Sequence, residues 1–440
     1  MSEGSTRATT GSGSRGESWN STTADAPAET RPGGVGVEPG GREPVGRNWL
    51  IPYGLLYTGQ NLAWAGPVQV LIALQVLAFR PGDKETAFAL LMTVGGIFQV
   101  VGSLLGGYLS DRTRSRWGKR LPWILIGNGV AAACLVVQAF APSYALLFAT
   151  WAVFQVFLAI AGSSTLSLPP DAVPQRQFGL VSGVQGATYT LGVVGGTLIA
   201  ALAGVRLGYL VSAGAVVLFV GIFAASGAWR RGLVGGGSST DMLLAGDNES
   251  TAEGYSDFAW VFVARFSINL GNYVALFYLL YFLRDRIKVA DPETGVLILT
   301  GVYALFVIVS TIVGGTWSDH VGRRKSFYLA AAIGIGVACV LMAIATTFPM
   351  AVVGAIVLGL VWGLFTAVDQ ALVNSVLPVA GKRARDVGIM TVAVALANIA
   401  SPLFAAFALA HLGGYPGLYL ASGALVLVGS VAILPVRSVR

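Results

Sequence analysis

Charge is scarce in this sequence. Lys, Arg, Asp and Glu make up 11% of its 440 residues, where soluble domains run near ~25%, so a water-soluble multidomain enzyme is excluded. Histidine is nearly missing. The two present, His320 and His411, form no metal-ligand pattern, and H-E-x-x-H, G-x-S-x-G and G-x-x-x-x-G-K-[ST] do not occur. That removes zinc proteolysis, serine hydrolysis and ATP-driven pumping, and no cofactor or metal is expected. Cys134 and Cys339 each lie inside an apolar run and are expected as small buried hydrophobes with no disulfide framework.

Apolar runs are what the sequence has in abundance. Hydrophobic residues make up 55% of it, and twelve stretches meet the ~20-residue requirement for crossing a ~30 Å hydrocarbon core. These spans, numbered 1 to 12 in chain order, cover 49–78, 86–109, 121–141, 143–168, 178–203, 207–228, 257–283, 294–317, 326–346, 348–376, 387–411 and 414–435. The fold class is therefore an all-α membrane protein with 12 transmembrane helices, surrounded by the lipid bilayer. Residues 1–47 have the Gly, Ser, Thr, Pro and Glu composition of a disordered tail, and 229–256, beginning Trp229 and containing Gly235, Gly236, Gly237, Ser238 and Ser239, that of a linker. The domains are thus a tail at 1–47, a six-helix bundle at 48–228, the linker, and a second six-helix bundle at 257–436.

The net charge of +7 fits topology better than nucleic-acid binding, because the basic residues sit in short loops. With the N-terminus cytoplasmic, 21 of the 28 Lys and Arg fall on the cytoplasmic side and 6 outside; without the tail the ratio is still 16 to 6. Both termini are expected in the cytoplasm, with the plasma membrane as the expected location.

The two bundles repeat each other. Gly107-Tyr-Leu-Ser-Asp111, after span 2, returns as Gly315-Thr-Trp-Ser-Asp319, after span 8, at an offset of 208. Gly118-Lys119-Arg120 returns as Gly322-Arg323-Arg324, and Pro174 as Pro378, both at 204. A parallel duplication of six helices is a transporter architecture.

Polar side chains in hydrocarbon are costly unless they face a cavity or a partner, and here they are concentrated in four spans. Span 1 carries Tyr53, Tyr57, Gln60, Asn61 and Trp64 on one helical face; span 4 offers Trp151, Gln155, Gly162 and Thr165. Span 7 has Arg265, Asn269, Asn272 and Tyr273; span 10 has Trp362, Thr366, Asp369, Gln370 and Asn374. Spans 6, 9 and 12 contain no Asn, Gln or charge and are expected to face lipid. The alternative is that the polar groups only bind helices together. A cavity between two bundles accounts better for four coincident stripes, with Tyr57, Trp64, Trp151, Tyr273 and Trp362 stacking on a small-molecule substrate and Gln60, Asn61, Gln155, Asn269, Asn272 and Gln370 bonding its hydroxyls.

Arg265 and Asp369 are the charges deep in these spans. Each lies about 12 Å in at 1.5 Å per residue, so pairing is expected. Asp369 is either a proton carrier whose affinity Arg265 sets, or half of a permanent salt bridge.

The loop from Gly107 to Arg120, with Asp111, Arg112, Gly118, Lys119 and Arg120, and its counterpart from Gly315 to Arg324, with Asp319, Gly322, Arg323 and Arg324, resemble the G-x-x-x-D-R-x-G-R-R signature of the major facilitator superfamily. The expanded first copy resembles the glycoside-pentoside-hexuronide symporters and sucrose-carrier-like group. That resemblance implies alternating access between two bundles, gating by the Asp111 and Asp319 clusters in the state closed to the cytoplasm, and ion-coupled sugar transport. Melibiose-type members bind sodium through acids in the second helix, and none stands between Ala87 and Leu109, so a proton is the expected coupling ion. The expectation is a proton-coupled symporter of a sugar or glycoside, acting as a monomer. Proton-driven efflux of a drug or natural product is the alternative, although Gly192-Val-Val-Gly195-Gly196 in span 5 lacks the proline of the drug-antiporter element; a transport-dead membrane sensor is a third reading.

Overall fold

The computed structural model describes residues 43–174, 177–233, 255–321, 324–375 and 383–436. The linker expected at 229–256 lies mostly outside them. Helix dominates because a chain in lipid must satisfy its backbone within each segment. Helix α1 runs from Arg47 to Phe79, through a π turn at Pro67–Leu71, and is followed by α2 (Lys84–Arg112), α3 (Leu121–Ala139) and α4 (Tyr144–Leu166). Helices α5 (178–203) and α6 (205–226) are continuous except at Gly204, whose φ of 69° is open only to glycine at little cost.

Helix α7 begins as Tyr255–Phe277, breaks at Tyr278 and ends in a second π turn at Phe282–Ile287. The rest are α8 (Pro292–Val321), α9 (Arg324–Ile344), α10 (Phe348–Ser375), α11 (Arg383–His411) and α12 (Tyr415–Ala432). With 178–226 divided at Gly204, the eleven long apolar helices among the described residues become twelve.

The packing repeats as the sequence does. Within the first six helices α1 packs on α5, α2 on α4 and α3 on α6; within the last six α7 packs on α11, α8 on α10 and α9 on α12. The seam is made by α2 against α11 and α5 against α8, which are equivalent pairs in the two repeats. Glycine permits the closest approaches. A Cβ at Gly66 would stand 2.8 Å from the Gly196 carbonyl, and one at Gly196 2.5 Å from that of Leu62. Gly192 and Gly196 thus seat α5 on α1, a Cβ at Gly192 falling 2.8 Å from the Thr58 carbonyl. In α11, Pro402 leaves the Asn398 carbonyl without its i+4 donor, and the Ser401 hydroxyl supplies one at 3.0 Å.

Helices α6, α9 and α12 are lipid-facing on one side only. Their outer faces expose Val217, Val337 and Val428, while Tyr209, Tyr328 and Tyr419 point inward and are buried. Aromatic side chains with one polar atom supply this inward face, so the lack of Asn, Gln and charge concealed it.

The chain enters and leaves the first bundle at one corner. Val45 and Gln177 bond reciprocally, N–H to Oε1 at 2.7 Å and Nε2–H to the carbonyl at 3.2 Å, while Arg231, in the turn Ala228–Leu233 that follows α6, donates to the Pro44 carbonyl at 3.1 Å.

Candidate functional site: the seam and its buried charges

Local bonding decides which polar side chains are free. Asn61 donates to the Tyr57 carbonyl (2.7 Å) and Asn269 to the Arg265 carbonyl (2.8 Å), each within its own helix. Gln60 donates to Thr165 Oγ1 at 3.0 Å and ties α1 to α4. Trp151 stacks on Phe154 with centroids 5.0 Å apart, and its Nε1 faces Gly95 of α2 closely enough that a Cβ there would be 2.4 Å away. Tyr53 stacks on Trp49 and accepts from Gln185 of α5 at 2.6 Å. Gln60, Trp151, Gln155, Asn269 and Asn272 are all buried, while Tyr57, Asn61, Trp64, Tyr273 and Trp362 keep part of their surface accessible.

Arg265 Nη2 and Asp369 Oδ2 are 3.0 Å apart, with side chains 13% and 9% exposed. The pair is incomplete: Arg265 Nε and Asp369 Oδ1 have no hydrogen-bond partner among the described residues. Tyr328 of α9 lies within electrostatic range of both charges, and its hydroxyl has no hydrogen-bond partner among the described residues. No sequence signal marked Tyr328, a single aromatic in an apolar run.

Tyr189 of α5 and Tyr303 of α8 were also missed. Tyr189 is 45% exposed although it sits deep in the protein, among Tyr57, Tyr273 and Tyr303.

The seam is bonded at one end. Lys84 and Asp285 pair across it at 2.6 Å, and Asp285 also accepts from Tyr415 at 2.9 Å. Tyr278 donates to the Glu85 carbonyl (2.8 Å), Tyr281 to the Ala73 carbonyl (2.9 Å), Thr300 to Gln69 (2.8 Å) and Thr93 to the Ile399 carbonyl (3.1 Å). Phe88 packs edge-on against both Tyr278 and Tyr281. All these contacts lie toward the face that carries Lys84 and Asp285, opposite the basic loops.

At the basic face, Arg120 is the centre of a cluster whose partners among the described residues belong to the first bundle. It pairs with Asp111 (2.7 Å) and Asp171 (2.9 Å) and donates to Ser110 (2.6 Å). Arg120 and Asp171 are nearly sealed, whereas Asp111 is 57% exposed. Gly118, with φ of 80°, turns the chain back, and Arg112 lies over the Tyr108 ring. A side chain at Gly107 would meet nothing within 4 Å; the close contact belongs to Gly106, against Ser163 and Ile160. Asp171, which follows α4, is absent from the loop motif and was not anticipated. Gly322 and Arg323 lie outside the described residues, as do the side-chain environments of Gly315, Asp319, Arg324, Gln370 and Asn374.

These features, two six-helix repeats around a polar seam closed at one end, define a multi-pass membrane carrier. The profile described as "Major Facilitator Superfamily" matches residues 55–235 and again 261–440, and the chain belongs to that superfamily, whose members are transporters. An uncharacterized symporter of Synechocystis sp. (strain ATCC 27184 / PCC 6803 / Kazusa) is 37% identical over 90 residues, 19% of this chain and 16% of that protein's length. Among solved structures, nucleoside transporter NupG aligns with a TM-score of 0.71 at 12% identity over 88% of this chain and 99% of its own. Peptide transporter POT in complex with sulfate gives 0.73 at 13%, over 90% and 96%. A bacterial homolog of the human lysosomal transporter Spinster, inward-facing and occupied, gives 0.67 at 14%, over 89% and 96%. At these identities the structural likenesses show the fold.

Proposed function

We propose that this superfamily member is a proton-coupled symporter of a sugar or glycoside, working by alternating access as a monomer in the plasma membrane with both termini cytoplasmic. The observation that carries the coupling is the buried Arg265–Asp369 pair at 3.0 Å. A carboxylate in hydrocarbon costs roughly 3 kcal/mol or more unpaired, and this one keeps a free oxygen. It can therefore be held as an anion by Arg265 in one state and protonated when the pair separates in another. In this role Asp369 is the proton carrier and Arg265 its counter-ion.

The bundles are assigned to 48–228 and 257–436, and they rock about the seam. The bonds around Lys84 and Asp285 hold the outer end shut, leaving the cavity open to the cytoplasm. The Asp111–Arg120 cluster, with its second-bundle counterpart at Asp319, serves the opposite state. Tyr57, Gln60, Asn61, Trp64, Trp151, Gln155, Asn269, Asn272, Tyr273, Trp362 and Gln370 form the wider substrate region. The accessible ones make first contact, and the buried ones hold the helices or become available on rearrangement.

The test is uptake into proteoliposomes of a labelled carbohydrate panel under an imposed proton gradient, with Asp369→Asn beside the parent protein. Accumulation above equilibrium that Asp369→Asn abolishes, with exchange retained, supports the reading. Accumulation undiminished in the variant removes Asp369 from coupling, and export of the panel against the same gradient would favour the efflux alternative.

A further inference from the structure

One face of α2 carries Ile97, Val101, Leu104 and Tyr108, at offsets 0, 4, 7 and 11, and all four are exposed. An exposed apolar stripe on a helix that spans a bilayer is covered by lipid chains. The stripe ends in the phenol of Tyr108, 54% exposed, and one turn further on Arg112 lays its guanidinium over that ring, 4.3 Å from the centroid. An aromatic ring followed by a cation marks the level at which such a stripe meets the headgroups.

The chain then forms a defined turn. Thr113 donates to the Leu109 carbonyl (2.7 Å) and accepts from Trp123 Nε1 of α3 (2.7 Å), which ties the start of the loop to both helices. The Gly118 N–H bonds the Ser115 carbonyl at 2.9 Å, and the Trp117 N–H bonds the Ser115 hydroxyl at 3.2 Å. Trp117 is thereby held 45% exposed, with Arg116 5.2 Å from its ring. Arg112, Arg114, Arg116 and Lys119 are all exposed, and none of them pairs with an acid among the described residues. Asp111, the acid beside them in sequence, is held by Arg120 at 2.7 Å.

Comparison of the two copies of the loop shows what is added in the first. Between Asp319 and Gly322 stand two residues and no arginine, whereas between Asp111 and Gly118 stand six, three of them arginines. The positive-inside rule asks only that charge lie on this side; it requires neither rings beneath the cations nor a fixed turn. Four uncompensated cations within eight residues, at the level where a lipid-covered stripe ends, make a surface complementary to negatively charged headgroups.

We infer that the loop from Tyr108 to Lys119 is a binding site for anionic phospholipid headgroups. Arg112, Arg114, Arg116 and Lys119 engage the phosphate, and Tyr108 and Trp117 sit among the first carbons of the acyl chains. The site is independent of the substrate and of the coupling ion proposed above.

Native mass spectrometry of the full-length protein in a non-ionic detergent tests this by reading the fraction that carries added phosphatidylglycerol or phosphatidylcholine of the same acyl chains. The parent is compared with Arg114→Gln/Arg116→Gln and with Arg284→Gln/Arg286→Gln, which makes the same change of charge at exposed positions of the opposite face. The parent should bind phosphatidylglycerol more tightly than phosphatidylcholine. In the loop variant phosphatidylglycerol should bind about thirtyfold more weakly, at about fivefold for each cation removed, and in the opposite-face variant as in the parent. Arg114→Lys with Arg116→Lys, which keeps the charge, should retain the preference, and all variants are first checked to be monodisperse. No preference between the two lipids, or equal weakening in both glutamine variants, would overturn the inference, because net charge alone would then account for the binding. Inorganic phosphate that displaces phosphatidylglycerol better than chloride of equal ionic strength would assign the loop to soluble anions and overturn it as well.

Discussion

Trp151 and Trp362 make the same local contact in α4 and α10, at different levels of the repeat. Each stacks on the phenylalanine three residues later with centroids 5.0 Å apart, Trp151 on Phe154 and Trp362 on Phe365. The bond from Asn61 to the Tyr57 carbonyl is likewise matched by that from Asn269 to the Arg265 carbonyl. In the register of the repeat, with Gly106 on Ile160 matched by Gly314 on Leu364, Tyr57 is the counterpart of Arg265 and Thr165 that of Asp369. The ion pair is thus present in the second bundle only, on a scaffold that the first bundle builds from uncharged residues.

The first prediction uses that counterpart. Arg265→Tyr alone leaves a buried carboxylate unpaired and is expected to cost about 3–5 kcal/mol. The double variant Arg265→Tyr with Asp369→Thr, which takes both residues from the first bundle, should recover most of that stability and still lose gradient-driven accumulation. Thermal unfolding in detergent and proteoliposome uptake check the two parts; a double variant no more stable than the single would show that the pair is not the source of the cost.

Lys84 and Asp285 should bias the conformational equilibrium. Lys84→Ala removes a partly exposed ion pair worth about 1 kcal/mol, which corresponds to roughly a fivefold gain in the state open at that end. A cysteine introduced at Thr93, buried at the closed seam, should then react about fivefold faster with a membrane-impermeant maleimide. Exchanging the charges, Lys84→Asp with Asp285→Lys, should return the rate toward the parent value, and a rate that never moves would take the pair out of gating.

The two acids on Arg120 are unequal. Asp111 is 57% exposed and Asp171 8%, so water screens the first bond and not the second. Asp171→Asn is expected to destabilise by about 3 kcal/mol and Asp111→Asn by under about 1 kcal/mol. Equal losses of melting temperature for the two variants would contradict this order.

Glycine at 196 is needed by a backbone, and glycine at 195 is not. A Cβ at Gly196 would lie 2.5 Å from the Leu62 carbonyl, while one at Gly195 would make an ordinary 3.7 Å contact with the Leu62 side chain. Gly196→Val should cost about 3 kcal/mol by forcing α1 and α5 apart, with Gly195→Val close to neutral. Protein yield and detergent melting curves distinguish them.

Much of this fold was legible because lipid imposes simple rules. Length and hydropathy mark the helices, and the recurrence of Gly107–Asp111 as Gly315–Asp319 marks the duplication. The chance of an Arg265–Asp369 pair could be read from depth alone, since each charge is costly without the other. What the sequence concealed has a common physical cause. Asn61 and Asn269 carry the signal of a binding residue, yet a carbonyl four residues back is always within reach of an asparagine on a helix and engages it first. Tyr189, Tyr303 and Tyr328 carry almost no signal, because tyrosine is at home both in an apolar core and beside water. Lys84, Asp285 and Asp171 stand at helix ends, where charge is the ordinary expectation and only the three-dimensional seam gives it a partner.

The corner where Val45 meets Gln177 and Arg231 meets Pro44 makes the first bundle a loop closed on itself. Its first and last turns are fastened to one another, so a pull on the chain at residue 231 is delivered to the entrance of α1 as well. A bundle held in this way turns as one body about its attachment instead of unravelling from either end. A loaded linker would accordingly act on it as a crank acts on a shaft.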